Sequence, residues 1–155
     1  MTTPHDFEWL RESNLIEGVD DPVADAEALR AWHWFQKQPL TVSSILEMHQ
    51  RLMRRLNPRI AGKLRTCDVT VGSRICPSWR VVPKLLKGWL RLWGKADSEE
   101  TIRHAHVVYE KVHPFHDGNG RSGRCILQYQ RSKIGLPPLL IKAAEREDYY
   151  RWFKE

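Results

Sequence analysis

The 155-residue chain has few cysteines and no long hydrophobic run, and each shortage excludes a class of protein. Cys67, Cys76 and Cys125 are odd in number and lack CxxC or zinc-finger spacing, so we expect reduced thiols and no disulfide framework. No apolar run approaches the roughly 18 residues that a membrane-spanning helix needs. Residues 1–10 carry two acidic side chains and no apolar core, which is not typical of a secretory signal. These features predict a cytoplasmic protein without a membrane partner.

The composition is ordinary for a globular protein, with 41% hydrophobic and 28% charged residues. No repeat, low-complexity tract or linker divides the chain, so we expect a single domain over residues 1–155 with one core. The net charge of +6 favours anionic partners in general. Basic residues are nevertheless spread along the chain, with short clusters only at 51–55 and 121–131. Nucleic-acid binding is therefore only weakly indicated, and part of the positive charge suits a phosphate site.

One stretch concentrates side chains that can do chemistry: residues 113–124 are His-Pro-Phe-His-Asp-Gly-Asn-Gly-Arg-Ser-Gly-Arg. Pro114 disfavours a helical conformation at His113, so a preceding helix is expected to end there. The two glycines that flank Asn119 permit a tight loop with inward-pointing N–H groups, which is an anion-binding nest. From about Gly120 the sequence can become helical again.

Arg121 and Arg124 carry the strongest functional signal of this stretch. They are three residues apart and share a face in the first turn of the expected helix, where the helix dipole disfavours cations unless an anion is bound. A glycine loop at a helix N-terminus with two guanidinium groups suits a diphosphate or triphosphate. Asp117 would repel that phosphate unless a hard cation such as Mg²⁺ lies between them. His113 can accept a proton near neutral pH, so the residues predict transfer from a nucleotide to a hydroxyl group.

This stretch resembles the motif of the Fic (filamentation induced by cyclic AMP) family, His-Pro-Phe-x-Asp/Glu-Gly-Asn-Gly-Arg-x-x-Arg, at every fixed position. The resemblance implies a protein adenylyltransferase, which moves AMP from ATP to a Ser, Thr or Tyr hydroxyl and releases pyrophosphate. His113 is then the base, Asp117 holds Mg²⁺, and Phe115 anchors the loop in the core. The implied nucleotide-binding residues are Gly118, Asn119 and Gly120 around the α-phosphate (Asn119 also through its side chain), Arg121 along the phosphate chain, and Arg124 at the γ-phosphate.

A second resemblance concerns residues 13–18, Ser-Asn-Leu-Ile-Glu-Gly, which are similar to the family's inhibitory motif Ser/Thr-x-x-x-Glu-Gly/Asn. We expect a helix over 8–17 that Gly18 terminates. Glu17 then lies in the last turn, where the helix dipole disfavours a carboxylate and a cationic partner is needed. The resemblance implies that residues 1–18 form an inhibitory helix through Ser13 and Glu17, and that Glu17 pairs with Arg124 and obstructs the γ-phosphate.

The remaining sequence predicts an all-α fold, a Fic-like helical bundle with one small β-hairpin. Helices are expected over 22–35 with Asp21 as N-cap, from Thr41 toward Leu56, over 84–93, from a capping box at Asp97 and Glu100 to Val112, and over about 143–153. Core positions by helical spacing include Leu56, Leu85 and Leu92. The helical period fails within 60–82, where a hairpin around Gly72-Ser73 is predicted. The resemblance implies that this flap docks the target protein through main-chain hydrogen bonds, and a purely structural hairpin is the alternative.

Other interpretations of the histidines and of the C-terminal aromatic residues compete with the nucleotide site. His104, His106, His113 and His116 could suggest zinc, but no supporting spacing is present, and His106 is expected to pack or hydrogen-bond under the loop. Three C-terminal aromatic residues are expected to pack, with one of them over an adenine as the alternative: Tyr149, Tyr150 and Trp152.

Two alternative functions also stay open at this point. A Fic-type enzyme could transfer another nucleotide or a phosphate group, although Gly120 favours AMP, because the phosphate-transferring kind typically has Lys there. The chain could instead be a non-catalytic domain that binds nucleotide or nucleic acid, against which Asp117 argues. The resemblance leaves the target protein, the oligomeric state and the choice between the cell's own cytosol and a host cytosol undetermined.

Overall fold

The computed structural model describes residues 3–154, and it is all-α apart from one two-stranded hairpin. The elements are α1 (Pro4–Ile16), α2 (Pro22–Phe35), α3 (Val42–Met53), β1 (Thr70–Val71), β2 (Arg74–Ile75), α4 (Val82–Trp93), α5 (Glu99–Val112), α6 (Asn119–Lys133) and α7 (Arg146–Tyr150). Short 3₁₀ turns occupy Trp79–Val81, Ala143–Glu145 and Arg151–Lys154. Within the described part, no helix has the length and apolarity needed to cross a membrane. The predicted fold class is confirmed.

Most helices begin where the sequence supplies a cap. Asp21 accepts a hydrogen bond from the Val23 N–H at 3.0 Å, and Thr41 caps α3, both as predicted. The predicted capping box at Asp97 and Glu100 is wrong. The N-cap of α5 is Ser98, whose extended backbone lets its hydroxyl accept the main-chain N–H three residues on.

The core lies between α6 and the helices around it. The fully buried side chains include Phe35, Ile45, Met48, Leu86 and Ile102. Helix α6 is buried along most of its length although its sequence is polar, because neighbouring elements supply hydrogen-bond partners. Gln128, for example, donates to the Leu139 carbonyl and accepts from the Leu139 N–H.

The prediction from helical spacing that three leucines lie in the core is wrong. Leu56 lies beyond α3, which ends at Met53, and its exposure is 37%. Leu85 and Leu92 are 36% and 77% exposed, because the buried face of α4 is narrow and centres on Leu86. The predicted C-terminal helix over 143–153 is also divided into a 3₁₀ turn, the short α7 and a second 3₁₀ turn.

The predicted hairpin is present but short. Gly72 occupies the turn with φ 59°, a left-handed conformation that favours glycine. Thr70 pairs with Ile75 and Val71 with Arg74, so each strand has only two residues.

Candidate functional site

The loop that follows α5 begins with a residue in a left-handed conformation. His113 has φ 52°, which is uncommon for a residue other than glycine. Its carbonyl accepts a hydrogen bond from Arg65 Nε at 2.6 Å, and the Pro114 carbonyl accepts one from the Arg65 N–H at 2.9 Å. The surrounding structure therefore fixes the backbone of the predicted base.

Arg65 is a residue that the sequence analysis missed. Its exposure is 1%, and its guanidinium donates to four main-chain carbonyls, those of Cys67 and Pro77 in the flap and of Val112 and His113 at the end of α5. This side chain joins the base of the flap to the start of the loop. Arg65 belongs to no motif or periodic pattern in the sequence, so nothing there indicated this role.

Phe115 anchors the loop in the core, as predicted. Its exposure is 0%, and its ring stacks on His49 with centroids 3.6 Å apart and planes 3° apart. His49 was missed as well. Its Nδ1 accepts from the Gly62 N–H at 3.0 Å, so Nε2 carries the proton and donates to the Asp117 carbonyl at 2.8 Å. Burial lowers the pKa of His49 to about 4, which keeps the ring neutral in this role.

The side chain of Asn119 holds the loop together, a role that the sequence did not predict for it. Its Oδ1 accepts from the Phe115 N–H at 2.8 Å and its Nδ2 donates to the Phe115 carbonyl at 2.9 Å. The residue is 4% exposed, so both ends of the amide are engaged inside the protein.

Two glycines keep the N-terminus of α6 open. Gly118 has φ 79°, and a Cβ there would lie 2.7 Å from Met53 Sδ. A Cβ on Gly120 would overlap Glu17 Oε1 and lie 2.8 Å from Arg124 Nη1. The Glu17 carboxylate therefore rests directly against Gly120, at the first turn of α6, where an anion is favoured.

Arg121 has polar atoms that lack partners. It is 5% exposed, and its Nε and Nη1 are buried without a hydrogen-bond partner among residues 3–154, while Nη2 lies 3.6 Å from Asp117 Oδ1. Unpaired buried donors are costly, so these atoms fit an anionic ligand.

The Asp117 side chain is 59% exposed, and its Oδ1 accepts from the Gly118 N–H at 2.7 Å. The described residues contain no cluster of three or more His, Cys, Asp or Glu that could hold a metal alone. A divalent cation therefore fits here only with phosphate oxygens completing its coordination, which is the manner in which Mg²⁺ is commonly held.

Arg124 joins the site to α1. It is 2% exposed, its Nε donates to Ser13 Oγ at 2.8 Å, and its Nη2 donates to the Ser13 carbonyl at 3.1 Å and to Glu17 Oε1 at 2.7 Å. Its Nη1 donates to the Tyr149 hydroxyl at 3.3 Å. The Glu17 carboxylate at the C-cap of α1 thus has a cationic partner, which the helix dipole favours there.

His113, Gly120 and Arg124 line a cleft of about 620 Å³ between the flap, the loop and the C-terminal turns, whereas Asp117 and Arg121 lie outside its lining. It is lined by Glu17, residues 71–74, Glu110, His113, Gly120, Arg124, Tyr149, Tyr150, Phe153 and Lys154. Burial lowers the pKa of His113, and the positive charge of Arg74 lowers it further. His113 is therefore neutral at pH 7 and able to accept a proton.

The remaining histidines and aromatics have structural positions. His106 is buried, and its two ring nitrogens meet the Gly123 carbonyl at 3.1 Å and the Tyr149 hydroxyl at 2.7 Å, as expected for a residue under the loop. Tyr149 is 4% exposed and packs in the interior, as predicted, while its hydroxyl also serves Arg124. Trp152 lies outside the cleft lining, with the Arg103 guanidinium 4.4 Å from its ring centroid.

Comparison with known proteins agrees with this geometry. The family described as Fic/DOC matches residues 39–130. Curated relatives named "Protein adenylyltransferase Fic" include one from Drosophila melanogaster, 31% identical with 96% of this chain and 30% of the relative covered. A second, from Nematostella vectensis, is 28% identical and covers 94% of this chain and 35% of the relative.

Two solved structures share the fold. Fic-1 from C. elegans superposes with a TM-score of 0.78 at 24% identity, covering 97% of this chain and 55% of the other. A Fic domain containing signaling protein from Bacteroides thetaiotaomicron gives a TM-score of 0.76 at 20% identity, covering 94% and 69%. The chain spans about a third of the length of the curated relatives that it matches. With the family match extending over more than half of its residues, the chain belongs to the Fic/DOC family.

Proposed function

We propose that the protein is an adenylyltransferase that moves AMP from ATP to a hydroxyl group of a target protein. The observation that carries the proposal is the charge at the start of α6: Arg121 and Arg124 lie within one turn, are buried, and Arg121 has two unpaired nitrogens. Such a site needs a polyanion. The relatives named protein adenylyltransferase support AMP as the group transferred.

His113 is the proposed general base. Its lowered pKa leaves the imidazole neutral near pH 7, so it can take the proton of the incoming hydroxyl as that oxygen attacks the α-phosphorus. The bond from the α-phosphorus to the bridging oxygen then breaks, and pyrophosphate leaves. Arg65 supports the step indirectly, because it fixes the backbone that carries His113.

The phosphate chain of ATP is proposed to lie along the N-terminus of α6. The main chain at Gly118, Asn119 and Gly120 would hold the α-phosphate, Arg121 the phosphates along the chain and Arg124 the γ-phosphate. Asp117 would hold Mg²⁺ together with phosphate oxygens. Bound there, Mg²⁺ neutralises negative charge on the phosphates.

The contact between Glu17 and Arg124 is proposed to be inhibitory. The Glu17 carboxylate occupies the space against Gly120 and takes an Arg124 N–H group that the γ-phosphate would otherwise receive. Ser13 is proposed to assist, since its hydroxyl and carbonyl hold the same guanidinium in place. ATP in its productive position must displace the carboxylate.

The hairpin is proposed to dock the target. Val71 and Ile75 are 40% and 79% exposed, and the short strands offer main-chain groups beside His113. Main-chain docking leaves the target sequence unspecified. The proposed compartment is the cytosol, of the cell itself or of a host.

Intact-mass spectrometry tests this function. The wild-type protein and Glu17→Gly are incubated with ATP, Mg²⁺ and candidate target proteins, and His113→Ala is the control in both backgrounds. We expect added AMP on the protein or a target, strongest with Glu17→Gly and absent with His113→Ala. The absence of any AMP adduct with both the wild type and Glu17→Gly would refute the proposal.

A further inference from the structure

Glu110 is an acidic residue of the cleft that the proposed reaction leaves without a role. It lies on α5 one turn before His113, and its exposure is 9%. Its Oε1 is enclosed and has no hydrogen-bond partner within the described residues. A carboxylate oxygen without a partner is more costly to bury than an oxygen of a neutral carboxylic acid, so this enclosure favours the protonated form of Glu110. The residue also lines the ligand cleft, together with Arg124.

The glycine that precedes Arg124 makes the burial of Glu110 sterically possible. A Cβ on Gly123 would overlap Glu110 Oε1, so this oxygen lies against the backbone of α6. Glu110 and Arg124 then line the same cleft from two adjacent helices, and Glu17, which accepts a hydrogen bond from Arg124, lines it as well. An anion that meets Arg124 therefore comes close to the Glu110 carboxyl group.

The charged and titratable groups around Glu110 decide whether it carries a proton. They are Arg124 on α6, Glu17 at the end of α1, Arg74 on the hairpin, Tyr149 on α7, His106 and Tyr109 on α5 itself, and His113 just after it. Burial raises the pKa of Glu110 to about 8 and Glu17 raises it too, against the lowering effects of Arg124 and Arg74. His106 and His113 both have lowered pKa values and are neutral at pH 7. Glu110 is therefore a neutral carboxylic acid at that pH.

We propose that Glu110 belongs to the nucleotide-binding site, where its protonated carboxyl group donates a hydrogen bond to the phosphate group that Arg124 also binds. The inference rests on the proposed function, because it takes ATP as the anion of the cleft. An ionised Glu110 would repel the phosphates, whereas the acid adds a donor that neither arginine supplies. The proton stays on Glu110 throughout, so the residue binds the nucleotide and takes no part in proton transfer.

This role links nucleotide affinity to pH. The triphosphate carries more negative charge than the single carboxylate of Glu17 that it displaces, so it raises the pKa of Glu110 further on binding. A group whose pKa is higher in the complex favours binding below its pKa in the free protein. That contribution is lost as the pH rises from the pKa of Glu110 in the free protein toward its higher pKa in the complex. The affinity for Mg²⁺-ATP should therefore fall between pH 7 and pH 9.

Calorimetry with Mg²⁺ and a non-hydrolysable ATP analogue tests the inference. The proteins are Glu17→Gly and the double variant Glu17→Gly/Glu110→Gln, and the quantity compared is the ratio of the Kd at pH 9 to the Kd at pH 7. We expect a ratio of about three to ten for Glu17→Gly. For the double variant we expect a ratio roughly threefold smaller or less, because the glutamine amide does not titrate. Other titrating groups, including those of the nucleotide, change the Kd ratio of the two proteins by the same factor, so they do not affect the comparison.

Equal ratios in the two proteins would overturn the inference and leave the proposed function intact. No detectable binding by Glu17→Gly at either pH would refute the proposed function, and the inference with it. If the double variant does not fold by circular dichroism, Glu17→Gly/Gly123→Ala replaces it. The alanine Cβ would occupy the position of Glu110 Oε1 and should also reduce the ratio. An unreduced ratio in that variant would overturn the inference.

Discussion

The contact between Glu17 and Arg124 makes a quantitative prediction. Glu17→Gly removes a charge-assisted hydrogen bond of 2.7 Å whose arginine is buried and whose carboxylate is about one-third exposed. Such bonds contribute about 1.5–3 kcal/mol, and the partial exposure of Glu17 reduces the effect to about 1–2 kcal/mol. If ATP must displace this carboxylate, the transfer rate at subsaturating ATP should rise about five- to thirtyfold.

The assay is the initial rate of AMP incorporation from labelled ATP, into the protein itself or a target. Glu17→Gln adds a graded test, because a neutral amide still accepts a hydrogen bond but forms a weaker one, so its rate should be intermediate. Glu17→Gln also keeps a side chain at the C-terminus of α1, which separates loss of the charge from loosening of the helix end. Glu8→Gln is the matched control, since Glu8 is an exposed carboxylate on the same helix.

Equal rates for the wild type, Glu17→Gly and Glu8→Gln would refute the inhibitory role of the contact. A rate increase with Glu8→Gln as large as that with Glu17→Gly would do so as well. That result would show that any loss of negative charge from α1 has the same effect.

Two further predictions concern the base and the loop. The pKa of His113 lies below its usual 6.5, so the fall in the transfer rate of Glu17→Gly on the acid side should have its midpoint below pH 6.5; a midpoint above pH 6.5 would contradict this. His49→Phe keeps a ring to stack on Phe115 but leaves the Asp117 carbonyl and the Gly62 N–H unpaired, which should cost about 2–4 kcal/mol of unfolding free energy. Thermal unfolding should show a midpoint roughly 4–16 °C lower, and an unchanged midpoint would contradict the role of His49.

Local signals in the sequence were reliable where the physical cause is local. Asp21 and Thr41 cap their helices because a short polar side chain reaches the nearby N–H groups whatever packs around it. Pro114 ends α5 at Val112 for a similar reason. Residues 113–124 are likewise contiguous, so the sequence alone brings their side chains together around the start of α6.

The errors and omissions arise from tertiary packing. Periodicity alone does not give the width of a buried face, and α4 leaves Leu85 and Leu92 exposed. Arg65 and His49 act on the loop from 48 and 68 residues away, so no spacing rule finds them. The amide of Asn119 turns inward because the main chain of its buried neighbour Phe115 needs both a donor and an acceptor.

The most direct test of the account is a crystal structure of Glu17→Gly with Mg²⁺ and a non-hydrolysable ATP analogue. We predict that the phosphate chain lies along the N-terminus of α6, with the α-phosphorus nearest to His113, the γ-phosphate on Arg124 and Mg²⁺ on Asp117. A nucleotide bound elsewhere, or one whose γ-phosphate is the group presented to His113, would contradict the account.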